Sequence, residues 1–241
     1  MASPTEARPT DPLPTDPLLS DPLPTGGEAA IDTDLVDRLV DEYSARWTGL
    51  VDRWATAPGT VLGTLGPSGT SSHLAADFLA ERYPISLRLY PTFDEVLAAL
   101  LAGEVDVVLV PSAYSGLTSF HWHRELELLG FFPRATPAYG IASRAEGPGD
   151  KPELRVSAMW EVRRIYHEVV PAELRDRPFT WVDAESTQQA AEILAAGGSD
   201  LAVTNDPGVR AYRLSWVANR PGAEIVWTVF GSRTRPLTPV E

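Results

Sequence analysis

The chain has 241 residues, 44% hydrophobic and 22% charged, the balance of a folded protein able to bury one large core or two small lobes. Its 33 acidic against 20 basic residues give a net charge of −13, which argues against nucleic acid and anionic membrane as partners, since both need a concentrated basic face. With no cysteine it forms neither disulfides nor thiolate metal sites, and no apolar run approaches the roughly 20 residues of a membrane-spanning helix. The N-terminus shows no basic start and no apolar signal core, so a cytoplasmic protein is expected.

In chain order, the near-repeat Thr10-Asp11-Pro12-Leu13-Pro14, Thr15-Asp16-Pro17-Leu18-Leu19, Ser20-Asp21-Pro22-Leu23-Pro24 carries too much proline for helix or ladder bonding, and residues 1–30 read as a disordered acidic tail. Next, Leu35, Val36, Leu39, Val40, Tyr43, Trp47, Leu50, Val51 and Trp54 recur at helical spacing, which predicts one amphipathic helix over 33–56 within a segment 31–58. Its apolar stripe has the main body or a second subunit to pack against, so a homodimer is compatible with it.

The stretch Thr64-Leu65-Gly66-Pro67-Ser68-Gly69-Thr70-Ser71-Ser72-His73 runs from a β-like segment through two glycines into a helix start. Glycine lets the backbone turn tightly and approach a ligand, and Thr70, Ser71 and Ser72 can cap a helix whose first N–H groups have no internal partner. Such a junction suits an anion.

From residue 60 short apolar runs alternate with helical patterns. Strands are predicted at 61–66, 86–90, 106–110, 127–132, 138–143, 154–157, 179–183, 201–204 and 224–230, and helices at 71–83, 93–102, 158–168, 186–197 and 207–213. That is an α/β chain, in which ligands bind where loops leave the carboxyl ends of the strands. Pro111-Ser112-Ala113-Tyr114-Ser115-Gly116, Ser157, Glu185-Ser186-Thr187 and Thr204-Asn205 occupy such positions.

The order GPSGTSSHLAA (66–76), YPTFDEVLAALLAGEVDVVLVPSAYSG (90–116), RVSAM (155–159), ESTQQAAEIL (185–194) and LAVTN with AYRL (201–214) resembles the catalytic domain of prephenate dehydratase over about residues 60–231. The resemblance implies a two-lobed type-II periplasmic-binding-protein-like fold with an added N-terminal helix, the substrate clamped between lobes. The catalytic domain would span 59–241, with lobe 1 at about 59–135 and 207–235 and lobe 2 at about 136–206. Where dehydratases read Pro-x-Glu-Asn-Ser, this chain has Pro111-Ser112-Ala113-Tyr114-Ser115; Ala158 and Met159 depart from their Ser-His-Pro-Gln after Ser157, and Arg164 falls near the glutamine of the next helix. Their Thr-Arg-Phe becomes Thr228-Val229-Phe230, and the regulatory ACT domain is expected to be missing.

These departures, with the aromatic-rich stretch 120–142 and Trp227-Thr228-Val229-Phe230-Gly231, are similar to the non-aromatising branch of the fold, the prephenate decarboxylase of bacilysin biosynthesis. The resemblance implies prephenate as partner, no cofactor, and a dihydro-4-hydroxyphenylpyruvate as product, for secondary metabolism. A non-aromatising enzyme must withhold a proton from the ring hydroxyl while giving one to carbon. The alternatives are a dehydratase lacking its regulatory domain and a non-catalytic binder of small carboxylates.

On this reading Thr228 and Tyr114 are the catalytic candidates, Thr228 with β-propensity and Tyr114 with interlobe packing as the competing explanations. Gly69, Thr70, Ser71, Ser112, Ser115, Ser157, Arg164, Ser186 and Thr187 are the substrate-binding candidates. Arg163-Arg164 beside Glu161 also fits a solvated helix face, and Arg134 at the lobe crossover carries the same ambiguity. His121, His123 and Glu125 would form a metal set only if 120–126 were extended, and no metal is expected; His73 and His167 fall on helices and are expected to be exposed.

Overall fold

A computed structural model describes residues 33–235, so the proline-rich repeat lies outside the described residues. The first helix, α1 (Thr33–Thr56), has the predicted bounds. Its residues up to Leu39 belong to a unit of their own, and those from Val40 onward to the body. In the body, Trp47, Leu50 and Trp54 of α1 join one core cluster with Phe132, Trp227 and Val229, and Tyr43 lies 5.1 Å from the Phe131 ring. Each fully buried side chain of this size stabilises by about 1.5–3 kcal/mol, which explains why the C-terminal part of α1 keeps its apolar stripe on this core. Gly130 leaves the room for it: an added Cβ there would stand 3.0 Å from the Trp47 ring.

Two five-stranded mixed sheets form the body. The first has the order β2 (Ser86–Tyr90), β1 (Val61–Leu65), β3 (Val107–Pro111), β10 (Glu224–Ser232), β4 (Leu126–Ala135), with α2 (Ser71–Ala80), α3 (Phe93–Ala102) and the short α4 (Leu117–His121) in its connections. β1 is parallel to β2 and β3, whereas β10 is antiparallel to β3 and β4. Side chains alternate along each strand, so Leu109 and Val229 enter one core cluster while Val108, Val110 and Phe230 enter another.

The second sheet has the order β7 (Phe179–Asp183), β6 (Leu154–Ala158), β8 (Leu201–Asn205), β5 (Tyr139–Ser143), β9 (Ser215–Arg220). Its helices are α5 (Arg163–Val169), preceded by a 3-10 turn at Trp160–Val162, then α6 (Ala172–Arg175), α7 (Thr187–Ala195) and α8 (Asp206–Ala211). The predicted helix 158–168 is therefore split, and β9, α4 and α6 were not predicted. β9 pairs antiparallel with β5, so the second sheet extends to Arg220, beyond the lobe boundary expected at 206/207.

The chain crosses between sheets twice, from β4 to β5 and from β9 to β10. The crossings lie side by side: Thr136 N–H donates to Ala223 O at 2.9 Å, and Ala223 N–H donates to Thr136 Oγ1 at 3.1 Å. A Cβ on Gly222 would fall 1.8 Å from Thr136 O, so only glycine permits that approach.

Candidate active site

The β1–α2 junction forms as the Gly-Thr-Ser pattern dictates. Thr70 is the N-cap of α2: its Oγ1 accepts from His73 N–H at 3.1 Å and donates to Leu65 O at 2.8 Å. Thr70 is thus committed to the turn, and Ser71 and Ser72 bring the first helical N–H groups to the cleft they line. Gly69, at φ +92°, turns its carbonyl to the second lobe, where it accepts from Gln188 Nε2 at 2.8 Å and Asn205 Nδ2 at 2.9 Å. Gln188 Nε2 also donates to Asn205 Oδ1 at 3.0 Å. A Cβ on Gly69 would meet Gln188 Nε2 at 2.8 Å, so this glycine serves lobe docking.

Two further polar contacts bridge the lobes. Ser71 Oγ and Tyr139 Oη are 2.5 Å apart, and Ser115 donates to Glu161 Oε1 through its hydroxyl at 2.7 Å and its N–H at 3.3 Å. Between the lobes lies a cleft of about 280 Å³, at the small end of ligand pockets.

The cleft is chemically divided. One wall is apolar: Leu65, Phe93, Tyr114 and Met159 line it and belong to the same packed cluster, Phe93 and Tyr114 having ring centroids 4.4 Å apart. The Tyr114 ring folds over Gly116, where any Cβ would stand 2.6 Å from its Oη. Burial pushes the Tyr114 phenol above its ordinary pKa, and the negative charges of Asp94, Glu161 and Glu185 add to the rise, so it stays protonated at neutral pH. Elsewhere the lining sets two arginines, Arg164 and Arg220, and two glutamates, Glu161 and Glu168, among further apolar side chains such as Ile165, Ile225 and Trp227. Glu168 on α5 accepts from Arg164 Nε at 3.2 Å through one oxygen and from Arg220 Nη1 at 2.5 Å through the other. Arg220 stands opposite Tyr139 in the β5–β9 register, next to the Ser71–Tyr139 pair.

No protein-family model matches the chain. It is 30% identical over 184 residues to a prephenate decarboxylase of Planktothrix agardhii, an alignment spanning 70% of this chain and 87% of that protein. The chain belongs to the prephenate decarboxylase family. A second member of that family, from Bacillus subtilis strain 168, is 30% identical over 174 residues, with 70% of this chain and 84% of the relative aligned. Among solved structures, the prephenate dehydratase of Arthrobacter aurescens in complex with L-Phe superposes with a TM-score of 0.54 at 17% identity. The superposition covers 76% of this chain and 63% of the dehydratase, a likeness of fold. The two-lobed, periplasmic-binding-protein-like architecture expected from sequence is the one observed.

Of the residues singled out in sequence, Thr70, Ser71, Tyr114, Arg164, Ser186 and Thr187 line the cleft of this decarboxylase-family chain. Ser186 caps α7, its hydroxyl accepting from Gln189 N–H at 3.1 Å. Gly69 and Ser115 hold the lobes together. Thr228 lies outside this lining: its buried hydroxyl donates to Val110 O at 2.7 Å. Trp227, its neighbour, lines the cleft instead. Ser157 has its hydroxyl fully buried and bonded to Ala190 O at 2.8 Å and Ser199 Oγ at 2.9 Å. Ser112 Oγ accepts from Val226 N–H at 3.2 Å, joining the end of β3 to β10. Arg134 lies over the Phe78 ring, its guanidinium carbon 4.1 Å from the centroid.

His121 closes α4 with its ring 5.0 Å from Phe230, so the extended segment that would align it with His123 is a helix end. His123 Nδ1 accepts from Glu125 N–H at 3.3 Å. His167 is exposed as expected, whereas His73 is part-buried and its Nδ1 accepts from Gly69 N–H at 3.3 Å. Sequence reasoning missed Tyr139, Glu168, Gln188 and Arg220. The Arg164–Glu168 spacing of four was visible, but nothing local tied Arg220 to it.

Proposed function

We propose that the protein removes carbon dioxide from prephenate without aromatising the ring and releases a dihydro-4-hydroxyphenylpyruvate. Family membership supports the reaction class, and the cleft carries the reading: apolar side chains and a protonated phenol share its lining with several hydroxyls and two arginines paired to Glu168. Prephenate has matching parts, a carbocycle bearing one carboxylate and a 2-oxo acid arm bearing another.

In the reaction the bond between the quaternary ring carbon and its carboxylate breaks. The electron pair spreads over the two flanking double bonds, and a proton arrives on the ring carbon beside the carbinol carbon. Carbon dioxide leaves, the hydroxyl stays, and one proton is consumed. Dehydration instead needs a proton on that hydroxyl, so the placement of the acid selects the product. Tyr114 is the proton donor on this reading: it lines the cleft on the apolar wall and its raised pKa keeps the phenol loaded. Ser71, Ser186, Thr187 and the arginines bind the carboxylates.

A product that keeps two ring double bonds beside a 2-oxo acid suits a non-aromatic amino-acid precursor, and secondary metabolism is the setting inferred. A chain free of cysteine fits a reducing cytoplasm. Among the described residues no helix is long and apolar enough to cross a membrane. Val36, Leu39 and Val40 are exposed on α1, which supports a homodimer through that helix; a monomer by sedimentation equilibrium at micromolar concentration would contradict it.

Incubation with prephenate, followed by proton NMR and a carbon dioxide assay, tests the reaction. Carbon dioxide with vinylic ring protons is expected. Aromatic phenylpyruvate would mean dehydration, and unchanged prephenate a binding protein.

A further inference from the structure

The division of the cleft bears on which way round the substrate lies. A carboxylate that departs as carbon dioxide loses its charge on the way to the transition state. A cation bonded to it stabilises the reactant more than the transition state and slows the step. A carboxylate that survives the reaction can be held by cations without that cost, because it is bound equally well throughout.

The arginines are built for a permanent anion. Glu168 takes one N–H from each, Nε of Arg164 and Nη1 of Arg220, and a guanidinium has five N–H donors, so both keep donors for a guest. The trio carries a formal charge of +1, matching one carboxylate, and the Ser71–Tyr139 pair beside Arg220 adds hydroxyls. The cluster of Leu65, Phe93, Tyr114 and Met159 contains no cation, and Glu161, bonded to Ser115 next to Tyr114, puts a negative charge near it. Repulsion of a carboxylate there is relieved as carbon dioxide leaves.

Resting on the decarboxylase reading, we infer that Arg164, Glu168 and Arg220 form the subsite for the 2-oxo carboxylate arm, while the departing ring carboxylate lies against Leu65, Phe93, Tyr114 and Met159. Glu168 is a positioning residue: it spaces the two guanidiniums and limits their charge, so that the arm is held while the product, which keeps that arm, can still leave.

Calorimetric titration with phenylpyruvate, which has the arm and a ring but no ring carboxylate, tests the assignment without turnover. The wild-type protein binds it, and Arg220→Ala weakens binding about tenfold or more, as expected for loss of charge-assisted bonds. Arg220→Lys recovers part of the loss, which a merely structural role would not give. With prephenate, Arg220→Ala raises KM about tenfold or more while kcat falls by less. No phenylpyruvate binding by the wild type, equal binding by Arg220→Ala, or a kcat that rises in that variant overturns the assignment. Wild-type protein that binds phenylpyruvate through Arg220 yet releases no carbon dioxide from prephenate would instead sink the decarboxylase reading and leave the arm subsite standing.

Discussion

Ser71 Oγ and Tyr139 Oη, one at the N-terminus of α2 in the first lobe and the other at the start of β5 in the second, stand 2.5 Å apart at the edge of the cleft. Burial raises the Tyr139 pKa and the Ser71 bond opposes the rise, so the phenol is neutral at working pH and the pair is a bridge between two uncharged hydroxyls. Tyr139→Phe removes it and keeps the ring. A neutral bond of this kind contributes about 0.5–1.5 kcal/mol, so kcat/KM should fall by roughly threefold to tenfold, mostly through KM. A double-mutant cycle with Ser71→Ala checks this; strictly additive effects would mean the bridge does not couple the lobes.

Tyr114→Phe tests the proton donor. Positioned proton transfer contributes about 10²–10⁴ in rate, so kcat should fall at least about a hundredfold while KM changes little. Full activity in the variant would remove Tyr114 from the chemistry.

The same residue sets a pH dependence. The protonated phenol is the active form, so activity persists through neutral pH and is lost as pH rises through a pKa lying above the ordinary tyrosine value. Burial is the main cause and the Asp94 charge the next, so Asp94→Asn should move the alkaline limb of kcat to lower pH. A limb unmoved in that variant, in a pH–rate profile, would show that another group titrates there.

Gly69→Ala should damage both stability and activity. The positive φ costs about 1 kcal/mol or more for any L side chain, and the new methyl would force Gln188 off the Gly69 carbonyl. Thermal denaturation should show a lowered midpoint and kinetics a raised KM for prephenate; a wild-type midpoint would contradict the docking role.

Thr228 now carries the opposite expectation from the one its motif position suggests. Thr228→Val loses a buried bond to Val110 O and should cost about 1–3 kcal/mol of stability while leaving kcat within about threefold. A hundredfold loss of kcat in a folded variant would return Thr228 to the site.

The parts of the fold legible in the sequence are those whose signal is local. The α1 stripe, the Thr70 cap and the strand–helix alternation each follow from periodicity or capping within one segment. β9 was not legible because Ser215-Trp216-Val217-Ala218-Asn219-Arg220 carries Asn219 and Arg220 among its residues and owes its strand form to pairing with β5. The arginine pair followed β9 out of view: Arg163-Arg164 beside Glu161 fits a solvated helix face, Arg164 is indeed largely exposed, and nothing local shows that Arg220, 52 residues beyond Glu168, reaches the same carboxylate. The surroundings of Thr228 and Ser157 were hidden for a different reason. Motif position carries no account of which face of a strand a side chain takes, and both hydroxyls are spent on backbone carbonyls inside the lobes. Gly69 sharpened in the same way, from a generic anion turn to the acceptor that seats Gln188 and Asn205.

The most direct test of non-aromatising decarboxylation is turnover of prephenate in deuterium oxide, with the product examined by NMR and mass spectrometry. One carbon-bound deuterium on the ring carbon beside the carbinol carbon, with the carbinol oxygen retained and carbon dioxide released, is the result expected. An aromatic product with the hydroxyl lost, or prephenate recovered unchanged, would contradict the account.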